Sequence, residues 1–217
     1  MPALKPVLTV IAGPNGSGKT TLTKQLLSHE WTKDSTYINA DEIAKDRFGD
    51  WNSPEAVRQA ADYADQLREK CLQDGQNFAY ETVFSTQKRL DDLEKAKNAG
   101  FFVRFFFVST NHTDINIARV KRRVESGGHD VPEDRIIERY HRAMGNLLPA
   151  LRLVDRGYVW DNSVDHRASI PLFRTVEGHV RSLYSEPLPD WATPVFEALN
   201  SAPKNGPSNQ PKPPTVA

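Results

Sequence analysis

The chain has 217 residues, with 28 Lys plus Arg and 28 Asp plus Glu, so its formal charge is zero. That length suffices for one α/β domain with its own core. The neutral balance excludes a whole-surface nucleic-acid binder, and the apolar runs below exclude a wholly disordered chain. The single cysteine, Cys71, excludes an internal disulfide and suits a reducing compartment. No apolar stretch approaches the ~20 residues that span a bilayer. The first apolar run, residues 7–12, ends in a glycine-rich loop rather than a cleavage site. The expectation is a soluble, cytoplasmic protein.

In chain order, Val7 to Ala12 is a β-branched run that reads as a buried strand. Gly13 to Gly18 is a loop, and Lys19 to His29 has helical composition with Leu22, Leu26 and Leu27 spaced for one face. Residues 36–39 form a second short strand. Pro54 to Gln73 reads as a helix, with Ser53 placed to cap it, Pro54 in the first turn and Gly75 past the end. Residues 77–81 read as a third strand and 86–99 as a helix stopped by Gly100. Phe101 to Val108 is nearly continuous Phe and Val, as in a strand covered on both faces. Two helices, 113–126 and 133–153, flank the loop Gly127 to Pro132. A fifth strand covers 157–160, and a last helix lies near 188–199. Strands alternating with helices predict βαβ units, hence a mostly parallel five-stranded sheet flanked by helices. Residues 1–200 form the domain, and the Pro-rich residues 201–217 form a tail expected to stay disordered.

Gly13-Pro14-Asn15-Gly16-Ser17-Gly18-Lys19-Thr20 fits G-x-x-x-x-G-K-[ST] between a strand and a helix. The glycines let several N–H groups point inward, and with the helix N-terminus they make a cradle for phosphate. Lys19 is placed to bridge the β- and γ-phosphates of ATP, and the Thr20 hydroxyl to ligate Mg²⁺. Thr21 follows at the start of the helix.

In open parallel sheets ligands sit beyond the carboxyl ends of the strands. Those ends carry the phosphate loop; then Asn39 and Asp41; then Glu81 and Thr82; then Asp161, Asn162 and Ser163. Residues Val108-Ser109-Thr110 close the fourth strand without an acid, so the acid that follows this strand in switch ATPases is missing. Asp41 and Glu81 are the candidates to serve the metal and to orient an acceptor hydroxyl. Asp41 has a competing reading, the N-cap of a helix starting at Glu42. A bare Glu81 after an apolar strand is costly without a partner, which a substrate hydroxyl or hydrated Mg²⁺ would supply.

Arg119, Lys121, Arg122 and Arg123 precede Arg135, Arg139 and Arg142 on the next helix. Two helices presenting guanidinium groups suggest a lid, residues 112–153, that stabilises charge on a transferred phosphoryl group. The alternative is a solvated face paired with Glu125, Glu133, Asp134 and Glu138. His129 is either a lid hinge residue or an exposed loop histidine. The tryptophans (31, 51, 160 and 191) read as packing residues and Cys71 as a small buried apolar group.

Four segments taken in order resemble the zeta toxin family: Ile11 to Thr21, Ile38 to Ala44, Tyr80 to Ser85 and Arg119 to Pro132. More closely they resemble its small stand-alone branch of predicted ABC-type ATPases. The resemblance implies a P-loop nucleoside triphosphate hydrolase fold of the kinase type. It also implies ATP-dependent phosphorylation of a hydroxyl on a sugar nucleotide, UDP-N-acetylglucosamine. Carried over by motif, Asp41 is the general base and a metal-side residue, with Lys19 and Thr20 at the phosphates. Arg119 and Arg123 act on the transferred group, and Arg139 and Asn162 belong to the ATP side. Glu81, Thr82 and His129 fall on the acceptor side. Val83 stands where the best-known toxins have Thr, and His129 near a position where their lid has arginine. The resemblance also admits a separate antitoxin protein as a partner. Other acceptors (a nucleotide, a dinucleotide or a nucleic-acid end) and a nucleotide-dependent binding module are the alternatives.

Overall fold

The computed structural model describes residues 5–32, 34–48 and 53–201. Trp51 and the Pro-rich stretch after Ser201 lie outside the described residues. The strands are β1 (Val7–Ala12), β2 (Thr36–Ile38), β3 (Phe78–Thr82), β4 (Phe102–Ser109), β5 (Arg156–Asp161), β6 (Ile170–Val176) and β7 (His179–Leu183). The helices are α1 (Lys19–Leu27), α2 (Ala40–Phe48), α3 (Pro54–Gln73), α4 (Gln87–Asn98), α5 (Thr113–Glu125), α6 (Glu133–Leu153) and α7 (Thr193–Asn200). The seven strands form one sheet of order β2-β3-β1-β4-β5-β6-β7.

The five expected strands are all present and mutually parallel. A hairpin, β6–β7, adds two antiparallel strands beyond β5 and brings the sheet to seven. Its two-residue turn is Glu177-Gly178, both with positive φ (48° and 77°), the backbone of a type I′ turn that matches strand twist.

Side chains alternate across the sheet and make two cores. Leu8, Val10, Phe78, Tyr80, Phe105 and Phe107 face Leu93 and Ala96 of α4 and Ala143 and Leu147 of α6. Ile11, Phe106, Val108, Tyr158 and Trp160 face Leu22 and Leu26 of α1. Each such fully buried large side chain contributes about 1.5–3 kcal/mol by burial. This explains why β4, lying between β1 and β5, reads as an unbroken apolar run. Cys71 is buried in α3 with a free thiol, and Trp160 packs in the smaller core, as expected of packing residues. Ser53 caps α3, its hydroxyl accepting from the Ala56 N–H at 3.5 Å. Among the described residues no helix is long and apolar enough to cross a membrane.

Chain order reverses direction around β1: the chain leaves it for β2, returns to β3 beside it, and then passes to β4 on its other side. Such a reversal leaves a crevice at the carboxyl ends of the strands. The phosphate loop follows β1 directly into it.

Candidate active site

The loop from Gly13 to Gly18 is held at two places where only glycine fits. A Cβ on Gly13 would lie 2.0 Å from the Val108 carbonyl oxygen, and one on Gly16 would lie 2.6 Å from that of Asn116. Both glycines have positive φ, 149° and 73°. Asn116, fully buried on α5, donates its amide to the Asn15 carbonyl and accepts from Thr110 Oγ1. Asn162, just past β5, donates Nδ2 to the Ser17 carbonyl at 2.8 Å. Two side chains from different elements thus hold carbonyls of the loop outward. Ser17 Oγ and Asn15 Oδ1 are buried without a hydrogen-bond partner among the described residues.

Lys19, the first residue of α1, folds Nζ back to donate to the Pro14 carbonyl at 2.8 Å. Burial lowers its pKa to about 8, against the opposing pull of Glu81 and Asp41; Arg123 and Arg139 lower it further. The loop thus gathers Lys19, Arg123 and Arg139 around one buried point, which fits a polyphosphate ligand.

Glu81 lies opposite. Its register partner on β1 is Ile11, so β3 delivers the carboxylate to the side of the loop. Oε1 accepts from Thr20 Oγ1 at 3.0 Å, and Oε2 from Thr23 Oγ1 at 2.9 Å and from the Tyr37 hydroxyl at 3.2 Å. The partner that this acid needs is therefore supplied by three protein hydroxyls rather than left to a substrate. Desolvation and the Glu81 charge raise the Tyr37 pKa, so its hydroxyl stays protonated as the donor.

Asp41 sits in the first turn of α2, which begins at Ala40 rather than Glu42. The capping role falls to Asn39, whose Oδ1 accepts the Asp41 N–H at 3.0 Å. That frees the Asp41 carboxylate from the competing reading. Asp41 lines one cavity of about 370 Å³ with Asn15, Gly16, Gly18, Lys19, Thr20, Thr21, Asn39, Glu81, Thr82, Val83, Arg119 and Arg123. Thr82 spends its hydroxyl on the Phe84 N–H at 3.1 Å. Phe84 is buried with φ 60°, and Asn146 of α6 donates to its carbonyl at 3.0 Å, so the turn beside Val83 is held by packing and by a lid-helix side chain. Thr20, Glu81 and Asp41 offer hard oxygen donors, the kind of set that Mg²⁺ takes together with phosphate oxygens and waters.

The cations of α5 and α6 divide. Arg122 pairs with Asp165, Lys121 with Glu133, and Arg135 and Arg142 both with Glu138, as a solvated face would. Arg119 pairs with Asp165 at 2.7 Å while its Nη1 donates to the Gly16 carbonyl at 3.4 Å. It forms the wall between the phosphate cavity and a second cavity of about 250 Å³, lined by Gln25, Asn162 and residues 164–169. Arg123 donates to the His129 carbonyl at 2.7 Å and lines the phosphate cavity. Arg139 is felt at Lys19 through its charge but does not line that cavity. His129 does not line it either: the lid loop presents its carbonyl to Arg123.

Sequence reading passed over Thr23, Tyr37, Asn116 and Asp165. Thr23 carried a usable signal, three positions after Thr20 and so on the same helical face. Asn116 did as well, being a polar residue beside the apolar Ile117 and Val120 on the inward face of α5. Tyr37 and Asp165 carried none, since their roles depend on which elements become neighbours.

A family model described as zeta toxin matches residues 1–159. An uncharacterized protein of Haemophilus influenzae is 32% identical over 130 residues, 59% of this chain and 88% of that protein. Among solved structures, the toxin–antitoxin system PezAT of Streptococcus pneumoniae superimposes with TM-score 0.58 at 16% identity, over 91% of this chain and 79% of that one. The AvrRxo1-ORF1:AvrRxo1-ORF2 complex with ATP gives 0.64 at 15% identity, over 94% of this chain. This chain spans 67% of the matched chain there, and 65% in the form with sulphate ions. At these identities the structures speak for the fold alone. The family match covers most of the chain and contains the phosphate loop, Asp41 and Glu81: the chain belongs to the zeta toxin family, and it is an ATP-dependent kinase of the P-loop fold.

Proposed function

We propose that this kinase transfers the γ-phosphoryl group of ATP to a hydroxyl of a sugar nucleotide, with UDP-N-acetylglucosamine as the acceptor. One observation carries the reading: Asp41 lines the same cavity as Lys19, Thr20 and Arg123. A base, a phosphate-binding cation and a metal-ligating hydroxyl therefore face one space, which is what in-line transfer to an alcohol requires. The acceptor comes from the family resemblance.

In this proposal Asp41 accepts the proton of the acceptor hydroxyl as its oxygen bonds to the γ-phosphorus. The bond from that phosphorus to the β–γ bridging oxygen breaks, and ADP leaves. Lys19 exchanges the Pro14 carbonyl for the phosphate oxygens. Arg123 holds the charge spread over the equatorial oxygens, and the Arg139 charge adds to the positive field at Lys19. Arg119, Asn162 and the 164–169 segment receive the rest of the nucleotide, in the cavity beside the loop. When bound, Mg²⁺ supplies charge neutralisation between the phosphates, and Thr20 and Asp41 are the residues that would hold it, directly or through water. Val83 and Thr82 shape the acceptor side. A separate antitoxin protein and a cytoplasmic location belong to the same proposal. They rest on the family and on the toxin–antitoxin system among the structural relatives.

The test is incubation with ATP, Mg²⁺ and UDP-N-acetylglucosamine, followed by mass spectrometry. Stoichiometric ADP and a sugar nucleotide heavier by one phosphoryl group are expected. ADP without that product rejects the acceptor, and a small-molecule extract offered in its place would then identify the hydroxyl that is phosphorylated.

A further inference from the structure

The hydrogen bonds around Glu81 have a direction as well as a geometry. An ionised carboxylate only accepts, so Thr20, Thr23 and Tyr37 all donate to it. With its proton committed to Glu81, the Tyr37 oxygen has a lone pair left, and it accepts Asn39 Nδ2 at 3.1 Å. The Asn39 amide is thereby fixed with Oδ1 toward α2, where it accepts the Asp41 N–H at 3.0 Å. One chain of bonds runs from Asp41 through Asn39, Tyr37 and Glu81 to Thr20, and none of its members can reverse without breaking a neighbour. At its far end the Thr20 proton points at Glu81, which leaves the lone pairs of that hydroxyl for a cation. At its near end the first turn of α2, and with it the Asp41 carboxylate, is tied to the same anchor.

We propose that Tyr37 is a positioning residue: its hydroxyl, shared between Glu81 and Asn39, keeps the Thr20 hydroxyl turned for a divalent cation and Asp41 in step with it. The proposal deepens the function given above and rests on its assignment of Thr20 to the metal. It does not depend on the identity of the acceptor. Outer partners of this kind commonly change metal affinity by about 10- to 100-fold when removed. Tyr37→Phe keeps the ring and deletes only the oxygen. Asn39 then loses the Tyr37 oxygen and keeps only Glu42 as an acceptor for its amide, and Glu81 loses one of its three donors.

The experiment is calorimetric titration of the full chain with ATP, first in EDTA and then with saturating MgCl₂. The quantity read is the ratio of the two affinities. In Tyr37→Phe the EDTA affinity is expected to stay near that of the unsubstituted protein, while the gain on adding Mg²⁺ shrinks by about 10-fold. Asn39→Ala is the second variant and is expected to shrink the same gain; circular dichroism and thermal melting check that both fold. An unchanged Mg²⁺ gain in both folded variants overturns the proposal. So does an equal loss in EDTA and in Mg²⁺, which would mean a general distortion of the loop. An unsubstituted chain that binds ATP without any Mg²⁺ gain overturns it too. If the gain behaves as expected but no sugar nucleotide is phosphorylated, the acceptor is rejected and the positioning role stands.

Discussion

The Thr20 hydroxyl donates to Glu81 at 3.0 Å across 61 positions of sequence, joining the last residue of the phosphate-loop motif to the strand on its flank. Glu81 is therefore an internal part of the phosphate site, bonded to α1 at Thr20 and Thr23 and to β2 at Tyr37. Replacing it by Gln keeps the volume but turns one of two acceptor oxygens into a donor that faces hydroxyls. Glu81→Gln is expected to lower kcat by about 10²-fold, the usual cost of a misplaced group near the reacting atoms. Initial rates of ADP formation at saturating ATP and Mg²⁺ check it.

Asn39 caps α2, so among the described residues the helix does not draw on the Asp41 carboxylate for its cap. Asp41→Asn is therefore expected to fold normally and to keep its metal-free ATP affinity, measured in EDTA, while turnover falls by about 10²–10⁴-fold with loss of the base. Nucleotide titration beside a steady-state assay separates the two quantities. A turnover unchanged from that of the unsubstituted enzyme would remove Asp41 from the chemistry.

Lys19 has a pKa near 8 when no phosphate is bound, chiefly through desolvation. Unfolded, it returns to 10.5, so between these values the unfolded chain binds more protons and the free protein gains stability as pH rises. Anionic phosphates reverse the shift. At about pH 8.5, ATP binding is expected to take up most of one proton, and none in Lys19→Met. Calorimetry in two buffers of different ionisation enthalpy reads the uptake directly.

Trp191 Nε1 donates to Asp161 Oδ1 at 3.0 Å, and the same carboxylate accepts from the Ser163 N–H and hydroxyl. The segment after β7 thereby braces the end of β5, one residue before Asn162 meets the phosphate loop. Trp191→Phe removes one hydrogen bond to a buried charge, about 1.5–3 kcal/mol. Tm is expected to fall by about 3–12 °C, at about 2–4 °C per kcal/mol for a chain of this size. Scanning calorimetry measures it.

Gly13→Ala puts a methyl group 2.0 Å from the Val108 carbonyl oxygen at a backbone angle that side chains avoid. The variant is expected to lose measurable ATP binding and to be destabilised by about 1–3 kcal/mol through overpacking. Gly75→Ala, also at positive φ but with open space around it, is expected to cost only about 1 kcal/mol and to bind ATP normally. Paired melting and titration of the two variants checks the contrast.

What the sequence determined by itself is local. The phosphate loop is eight consecutive residues whose glycines set their own backbone, and β4 announces its two covered faces in a run of Phe and Val. Even the helix bounds follow from Ser53, Pro54 and Gly100, because caps and breakers act within a turn of where they stand. The β6–β7 hairpin escaped because its turn is Glu-Gly rather than Asn-Gly or Asp-Gly, and because Pro171 and the buried Arg174 interrupt the apolar alternation. Only the tertiary structure decided what Glu81 is for. The parallel register of Ile11 with Glu81 and of Ile38 with Tyr80 brings residues 20, 23, 37 and 81 within hydrogen-bond reach. Likewise, pairing with Asp165, Glu133 and Glu138 takes up Arg119, Lys121, Arg122, Arg135 and Arg142, while Arg123 lines the phosphate cavity without a carboxylate partner among the described residues. Charge and hydroxyl chemistry are written in the residues, but partnership is a property of distance, and distance is set by how the strands and helices pack.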